Sequence, residues 1–247
     1  MLITHNEYQP KNIRYGFLTK EIPGCTHRYA NHHDNYKENN LLAAKAFGVD
    51  EIAVVDQKHT NNVIIVNDYN SYCVADGQVT NKAGIALGVQ TADCVPILLA
   101  DEEVGVIASV HSGWRGVKAG VMVEAVEKMR GLGAKKITAI IGPCIKQHTY
   151  EVDSVFYRNF IQESSENKKF FILGKRQDHY MFDLPGYVKN KLEASGVNNI
   201  FDVNRNTYEE EENFFSFRRT THHPDSPMGS LLSVIMLYPI PIDSFKI

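Results

Sequence analysis

Short apolar runs alternate along this chain with polar, glycine-punctuated stretches, and the spacing inside each run separates strands from helices. Apolar runs at 13–19, 52–55, 63–66, 85–90, 97–100, 104–110, 137–141 and 231–237, most of them rich in Val, Ile or Leu, have the length of buried strands. A polar turn at 57–62 separates the second from the third. Residues 37–47 read as a helix stopped by Gly48, and 184–194 as one stopped at Gly196. Over 116–130, Val117, Val121, Ala125 and Met129 recur every fourth residue. This puts them on one face of an amphipathic helix that Gly131 and Gly133 end. A further helix over 153–162 takes Asp153 as its cap. Strands outnumber helices and follow no βαβ rhythm, so the pattern predicts an α+β fold, with mixed sheets covered by a few helices.

The chain shows no internal repeat, low-complexity tract or linker, and its 247 residues fit a single domain spanning 1–247. The most polar stretches, 27–40 and 209–212, are short enough to be loops. A formal net charge of −3 without a basic cluster argues against nucleic acid as a partner, because phosphate neutralisation needs grouped Lys and Arg. The polar N-terminus does not read as a secretory signal, and no apolar run approaches the roughly 20 residues that span a bilayer, so no membrane is expected. Four cysteines without paired spacings make no disulfide framework and point to a reducing cytoplasm. A cysteine inside a polar motif is then a candidate ligand or nucleophile.

Three segments share one design, an apolar strand delivering a polar side chain at its end. They present His59 after Val54-Val55, Cys94 after the 87–93 stretch, and His111 after Ala108-Ser109-Val110. Two imidazoles and a thiolate suit zinc and leave a fourth position open for water or substrate. The spacing is not that of a zinc finger, so residue types alone leave a second reading open, in which the three are core residues. Between Gly113 and Gly116, Arg115 sits at a predicted helix start, where it either serves an anion site or pairs with a carboxylate while Trp114 packs in the core. Ile141-Gly142-Pro143-Cys144 presents a cysteine that reads by default as structural. The 214–219 stretch reads as an aromatic strand bearing Arg218 and Arg219 on a solvated or ion-paired edge. Asp76-Gly77 reads as a turn, with Asp76 available to orient a metal-bound histidine. The adjacent pairs His32-His33 and His222-His223 read as loop histidines.

Taken together, Gln57-Lys58-His59, Asp76-Gly77 with Thr80, the 87–96 stretch LGVQTADCVP, the 111–116 stretch HSGWRG, Ile141-Gly142-Pro143-Cys144, Tyr150-Glu151-Val152, Phe182-Asp183-Leu184 and Phe215-Ser216-Phe217-Arg218-Arg219 occur in the order of a known pattern. The chain resembles the laccase-domain family, the YfiH-type proteins once called multicopper polyphenol oxidases and since assigned as purine nucleoside phosphorylases with adenosine deaminase activity. The resemblance implies a four-layer α/β/β/α arrangement and a metal site at His59, Cys94 and His111, holding zinc or, by its higher affinity, copper. It further implies catalytic roles for Cys94, His111 and Arg115, and substrate contacts from Arg115, Cys144 and Arg218. The chain departs from the pattern at Pro23-Gly24-Cys25-Thr26, around 30–35, and at Gly229-Ser230, where Gly-Arg is usual.

The residues weigh against the oxidase name. Four-copper chemistry needs many histidines, often as His-x-His, and none of the ten histidines here forms that pair. The leading expectation is an enzyme that takes a purine nucleoside and phosphate and has adenosine deaminase-type activity, with zinc supplying an activated water for deamination. The runner-up is a cysteine hydrolase acting on amide bonds, for instance in peptidoglycan precursors, with Cys94 as nucleophile and His111 as base. A non-catalytic metal-binding or ligand-sensing module is the third.

Overall fold

Both faces of the central strands are apolar, so each needs a covering layer, and two sheets stacked with helices outside satisfy that demand. A computed structural model describes residues 1–22, 33–69 and 73–238, of which 33–38 as backbone only. One sheet orders its strands Leu2–Ile3, Ile13–Leu18, Leu231–Leu237, Ala86–Thr91 and Ile52–Ala53, antiparallel except for the last pair. The other runs Asn199–Asp202, Thr138–Ile141, Val95–Asp101, Val106–Ser112, Gly77–Thr80 and Val63–Ile65, antiparallel inside with a parallel pair at each end. A small third sheet pairs Glu151–Asp153 and Phe171–Leu173 with His179–Phe182.

Three cores follow from this stacking. Ala43, Ala44 and Phe47 of the His33–Phe47 helix cover the outer face of the first sheet over Ile52, Ala86 and Val234. Phe17, Leu87, Val89 and Ile235 of the first sheet meet Leu98, Ala100, Ile107 and Ile140 of the second. On the far side, Val95, Ile97, Leu99, Ala108 and Val110 pack under Val121, Met122, Ala125 and Met129 and under Tyr187, Val188 and Leu192. The order is α/β/β/α in one α+β domain, as expected. Along Val95–Asp101 successive side chains enter different cores, which is why all seven residues are buried.

The predicted elements Leu231–Leu237 and Leu184–Ala194 form with the expected ends, and Asp153 caps its helix by accepting Phe156 N–H at 2.7 Å. Other expectations are corrected. The 116–130 helix is two helices, Trp114–Ala119 and Val121–Gly131, because Gly120 adopts φ 95° and terminates the first turn of chain in a left-handed cap. Asp76-Gly77 is not a turn, since Gly77 opens a strand against Val110. The 214–219 stretch is not a strand: Ser216 accepts Arg219 N–H and caps the helix Phe217–His222. Arg219 is buried, donates to the carbonyls of Thr207, Tyr208 and Phe214 and lies 3.8 Å from Glu211, so it does not sit on a solvated edge. Of the paired histidines, His33 begins a helix and His222 ends one, with His223 as its C-cap. His32 and the motif departures at 23–26 lie outside the described residues, as does the start of the 30–35 stretch. Among the described residues, no helix is long and apolar enough to cross a membrane.

Candidate metal centre and its cavity

A single buried carboxylate organises the site. Asp76, 1% exposed, ends a segment beside the Gly77–Thr80 strand. One of its oxygens accepts His59 N–H at 2.9 Å and faces His111 Nδ1 at 2.7 Å. The other accepts Thr60 N–H at 2.6 Å, Thr60 Oγ–H at 2.7 Å and Lys58 N–H at 3.2 Å. Burial alone would raise the Asp76 pKa, but the hydrogen bonds from His111 and Thr60 outweigh it and hold the carboxyl down to about 2. A permanent carboxylate there gathers the 58–60 loop into three N–H contacts. His59 accordingly sits at φ 61° in a loop and not at a strand end, since the preceding strand stops at Ala53.

His111 lies one residue before the end of the Val106–Ser112 strand, and Cys94 lies in the turn that joins Ala86–Thr91 to Val95–Asp101. The ligand atoms of His59, Cys94 and His111 all fall within 4.8 Å of one another. Cys94 Sγ is 3.7 Å from His59 Nε2, and the two imidazole rings meet edge to face with centroids 4.7 Å apart. A tetrahedral zinc with ordinary bond lengths separates a sulfur and a nitrogen ligand by about 3.5 Å, close to the 3.7 Å between Cys94 Sγ and His59 Nε2. Because Nδ1 of His111 is engaged by Asp76, its Nε2 remains for the cluster, the carboxylate–histidine arrangement that orients metal ligands. Gly113 makes room for the trio: a Cβ there would stand 2.5 Å from the His59 ring and 3.1 Å from Cys94 Sγ.

Electrostatics point the same way. Burial would raise the Cys94 pKa, yet His111 and His59 pull it down to about 6. Burial would lower that of His111, yet Cys94 and Asp76 push it up to about 9. The thiolate is thus stabilised by adjacent positive charge, the condition in which a divalent cation can replace the imidazole proton.

The trio forms part of the wall of a cavity of about 540 Å³ that Trp114, Arg115, Tyr150, Phe217 and Arg218 also line. Arg115 lies over the Trp114 ring at 4.3 Å, and Arg218 over the Tyr150 ring at 5.0 Å while donating to the Glu151 carbonyl at 2.6 Å. Trp114 packs against Phe156, as one reading of the pair expected, and Arg115 is exposed at the cavity.

A family model described as multi-copper polyphenol oxidoreductase laccase matches residues 25–238. The chain belongs to this family. It is 35% identical over 233 residues to a purine nucleoside phosphorylase of Rickettsia prowazekii (strain Madrid E), covering 92% of this chain and 97% of that one. It is 34% identical over 163 residues to the purine nucleoside phosphorylase YfiH of Escherichia coli (strain K12), covering 66% of this chain and 64% of that one. A crystal structure of a Neisseria meningitidis protein superposes with a TM-score of 0.85 at 23% identity, over 96% of this chain and 99% of the other. The hypothetical protein YfiH of Bacillus licheniformis gives 0.81 at 24%, over 91% and 92%. The two superpositions show the shared fold.

Within this family member, the fold brings His59, Cys94, His111, Arg115 and Arg218 to one cavity and leaves Cys144 out of its lining. Cys144 is fully buried in the core beneath the helices, where burial pushes its thiol up to about 12. Its neighbour Ile145 reaches the cavity instead. Sequence reasoning missed Asp93, which is buried at φ 85° next to Cys94. Its carboxylate accepts Thr207 Oγ–H at 2.6 Å, Ser216 Oγ–H at 2.9 Å and Arg218 N–H at 2.6 Å. Those partners lie 114 to 125 positions away, so no local pattern could reveal them. Gln57 was visible only as a motif letter; its amide pairs with both backbone groups of Gln90, at 2.7 and 2.8 Å, and fixes the cavity edge.

Proposed function

We propose that this protein is a zinc-dependent purine nucleoside phosphorylase that also deaminates adenosine in the same cavity. The observation that carries the reading is the placement of His59, Cys94 and His111 beside two arginines in a cavity of about 540 Å³, within a chain similar over nearly its whole length to proteins named for this activity. In phosphorolysis a phosphate oxygen bonds to C1′ of the ribose while the glycosidic C–N bond breaks, and its electron pair leaves with the base. Arg115 and Arg218 meet the phosphate charge, since guanidinium forks hold such oxygens by paired N–H donors. The aromatic faces beneath both arginines keep them extended into the cavity. His59, Cys94 and His111 would hold the zinc, a Lewis acid that supplies activated water at neutral pH. Asp76 fixes the rotamer and tautomer of His111, and Gln57 and Gln90 set the rim.

Four-copper oxidation does not fit this donor set. One cluster of two histidines and a cysteine, the metal-type cluster found among the described residues, lacks the histidines that chemistry requires. The test is a panel of adenosine, inosine and guanosine assayed with and without phosphate, alongside metal analysis. Free base should be released only with phosphate, and ammonia should be released from adenosine. Release of neither from zinc-replete protein would overturn the proposal.

A further inference from the structure

We infer that Phe217 is a preformed stacking platform for a flat aromatic base, held in register with the metal trio by Asp93; the inference rests on the nucleoside reading for its choice of ligand. Phe217 is the first residue of the helix Phe217–His222 and lines the cavity, yet it is 54% exposed. The other aromatic side chains of the cavity are engaged with rings: Trp114 packs on Phe156 and Phe160, and Tyr150 on Phe156 and Phe182. Among the described residues, Phe217 packs on no other ring, so its π-face is free to meet a ligand.

Its backbone is not free. The residue before it donates its Ser216 hydroxyl to Asp93, and the residue after it donates Arg218 N–H to the same carboxylate. Asp93 is bonded through the chain to Cys94. The backbone that carries the ring is therefore tied on both sides to the residue next to the Cys94 thiol. The Arg218 guanidinium lies over Tyr150, another wall of the same cavity, and does not stack on Phe217. A planar ring entering this cavity can bury one face against Phe217 while its edge reaches toward the trio and its sugar toward the arginines, all of which line the same cavity. Backbone ordering costs are small because the segment bearing the ring is already fastened, which favours affinity from stacking. The ligand class is a purine, as free base or nucleoside, because stacking on an aromatic face selects for flatness and polarisability and demands no matched hydrogen bonds.

The experiment is direct titration calorimetry of adenosine, hypoxanthine, ribose and inorganic phosphate onto the zinc-replete protein and its Phe217→Ala, Phe217→Leu and Phe217→Trp variants, with steady-state kinetics beside it. Alanine and leucine should weaken adenosine and hypoxanthine by roughly 5- to 150-fold, and tryptophan should preserve both. Ribose and phosphate should bind every variant alike, which also shows that each variant is folded. In kinetics the loss should fall on KM for the nucleoside and spare KM for phosphate. Equal adenosine affinity in wild type and Phe217→Ala overturns the inference even if phosphorolysis is confirmed. Purine binding that depends on Phe217 without turnover sustains it and overturns the proposed activity instead. A leucine variant that binds like wild type also overturns it, because apolar contact without a flat face would then suffice.

Discussion

Asp76 touches no ligand-binding space of its own, yet three elements converge on it: the 58–60 loop, the Gly77–Thr80 strand and His111. Replacing it with asparagine puts an N–H₂ group where the carboxylate accepts hydrogen bonds, and frees His111 to rotate. Asp76→Asn should weaken zinc by roughly 10- to 100-fold, as removal of such partners does elsewhere, read by competition with a chromophoric chelator. An unchanged affinity would assign Asp76 to loop structure alone. Cys94 separates the two enzymatic readings. A thiolate bound to zinc should resist iodoacetamide until the metal is stripped, and returning zinc before alkylation should restore activity. Rapid alkylation of Cys94 in the metallated, active enzyme would favour a cysteine nucleophile, a reading that leaves His59 without a role. The trio could be picked out as a candidate because His and Cys are residue types zinc prefers, the resemblance deciding against a core reading, and Asp76 because carboxylates partner metal-bound histidines. Cys144, read by default as structural although the resemblance implied a substrate contact, lies in the core outside the cavity lining, whereas Cys94 faces the cavity beside two imidazoles.

At the scale of elements, residues 101–136 show what local patterns convey and what they hide. Asp101 closes its strand and accepts Lys135 N–H at 2.6 Å, Lys136 N–H at 2.8 Å, Glu103 N–H at 3.1 Å and Val104 N–H at 3.2 Å. Burial would raise its pKa, but these four donors outweigh burial and lower it. A folded pKa below the unfolded value contributes stability that is fully present above about pH 4 and is lost as pH falls through the folded value. Asp101→Asn should therefore cost about 1–3 kcal/mol at pH 7, with the gap to wild type narrowing below about pH 4 in urea titrations. A gap that stays constant with pH would mean the carboxylate charge is not what the turn uses. Long or strictly apolar elements such as Leu184–Ala194 and Leu231–Leu237 were legible because burial on one or both faces imposes their pattern. The strands Glu151–Asp153, Phe171–Leu173 and His179–Phe182 were not, being short and mixed in polarity, and set by pairing with each other. The break at Gly120 was hidden because the apolar repeat continues in register across it.

For the whole molecule, the mixed-sheet character could be read from the pattern, but the stacking order came with the resemblance to a family, because which sheet face meets which is a matter of contacts far apart in sequence. The Ile13–Leu18 strand pairs with Leu231–Leu237, so the two ends of the chain close the first sheet. The C-terminal segment that leads back to that sheet passes the cavity on the way, and Asp93 is where it is fastened. Three donors from residues 207–218 converge on this one buried carboxylate, where burial raises the pKa and those contacts oppose the rise. Asp93→Asn keeps the volume but turns an acceptor into a donor facing Arg218 N–H. Ser216 can rotate its hydroxyl to adapt, while the Arg218 amide cannot. The helix Phe217–His222 should then detach at its first turn while both sheets persist. Amide hydrogen exchange should speed up for residues 216–220 and stay slow through Leu231–Leu237, and the affinity for phosphate should fall together with that for nucleoside because Arg218 and Phe217 move as one. Exchange unchanged at 216–220, or acceleration spread evenly across both sheets, would show that the segment is held by its other contacts, among them the buried Arg219 fork on the carbonyls of Thr207, Tyr208 and Phe214.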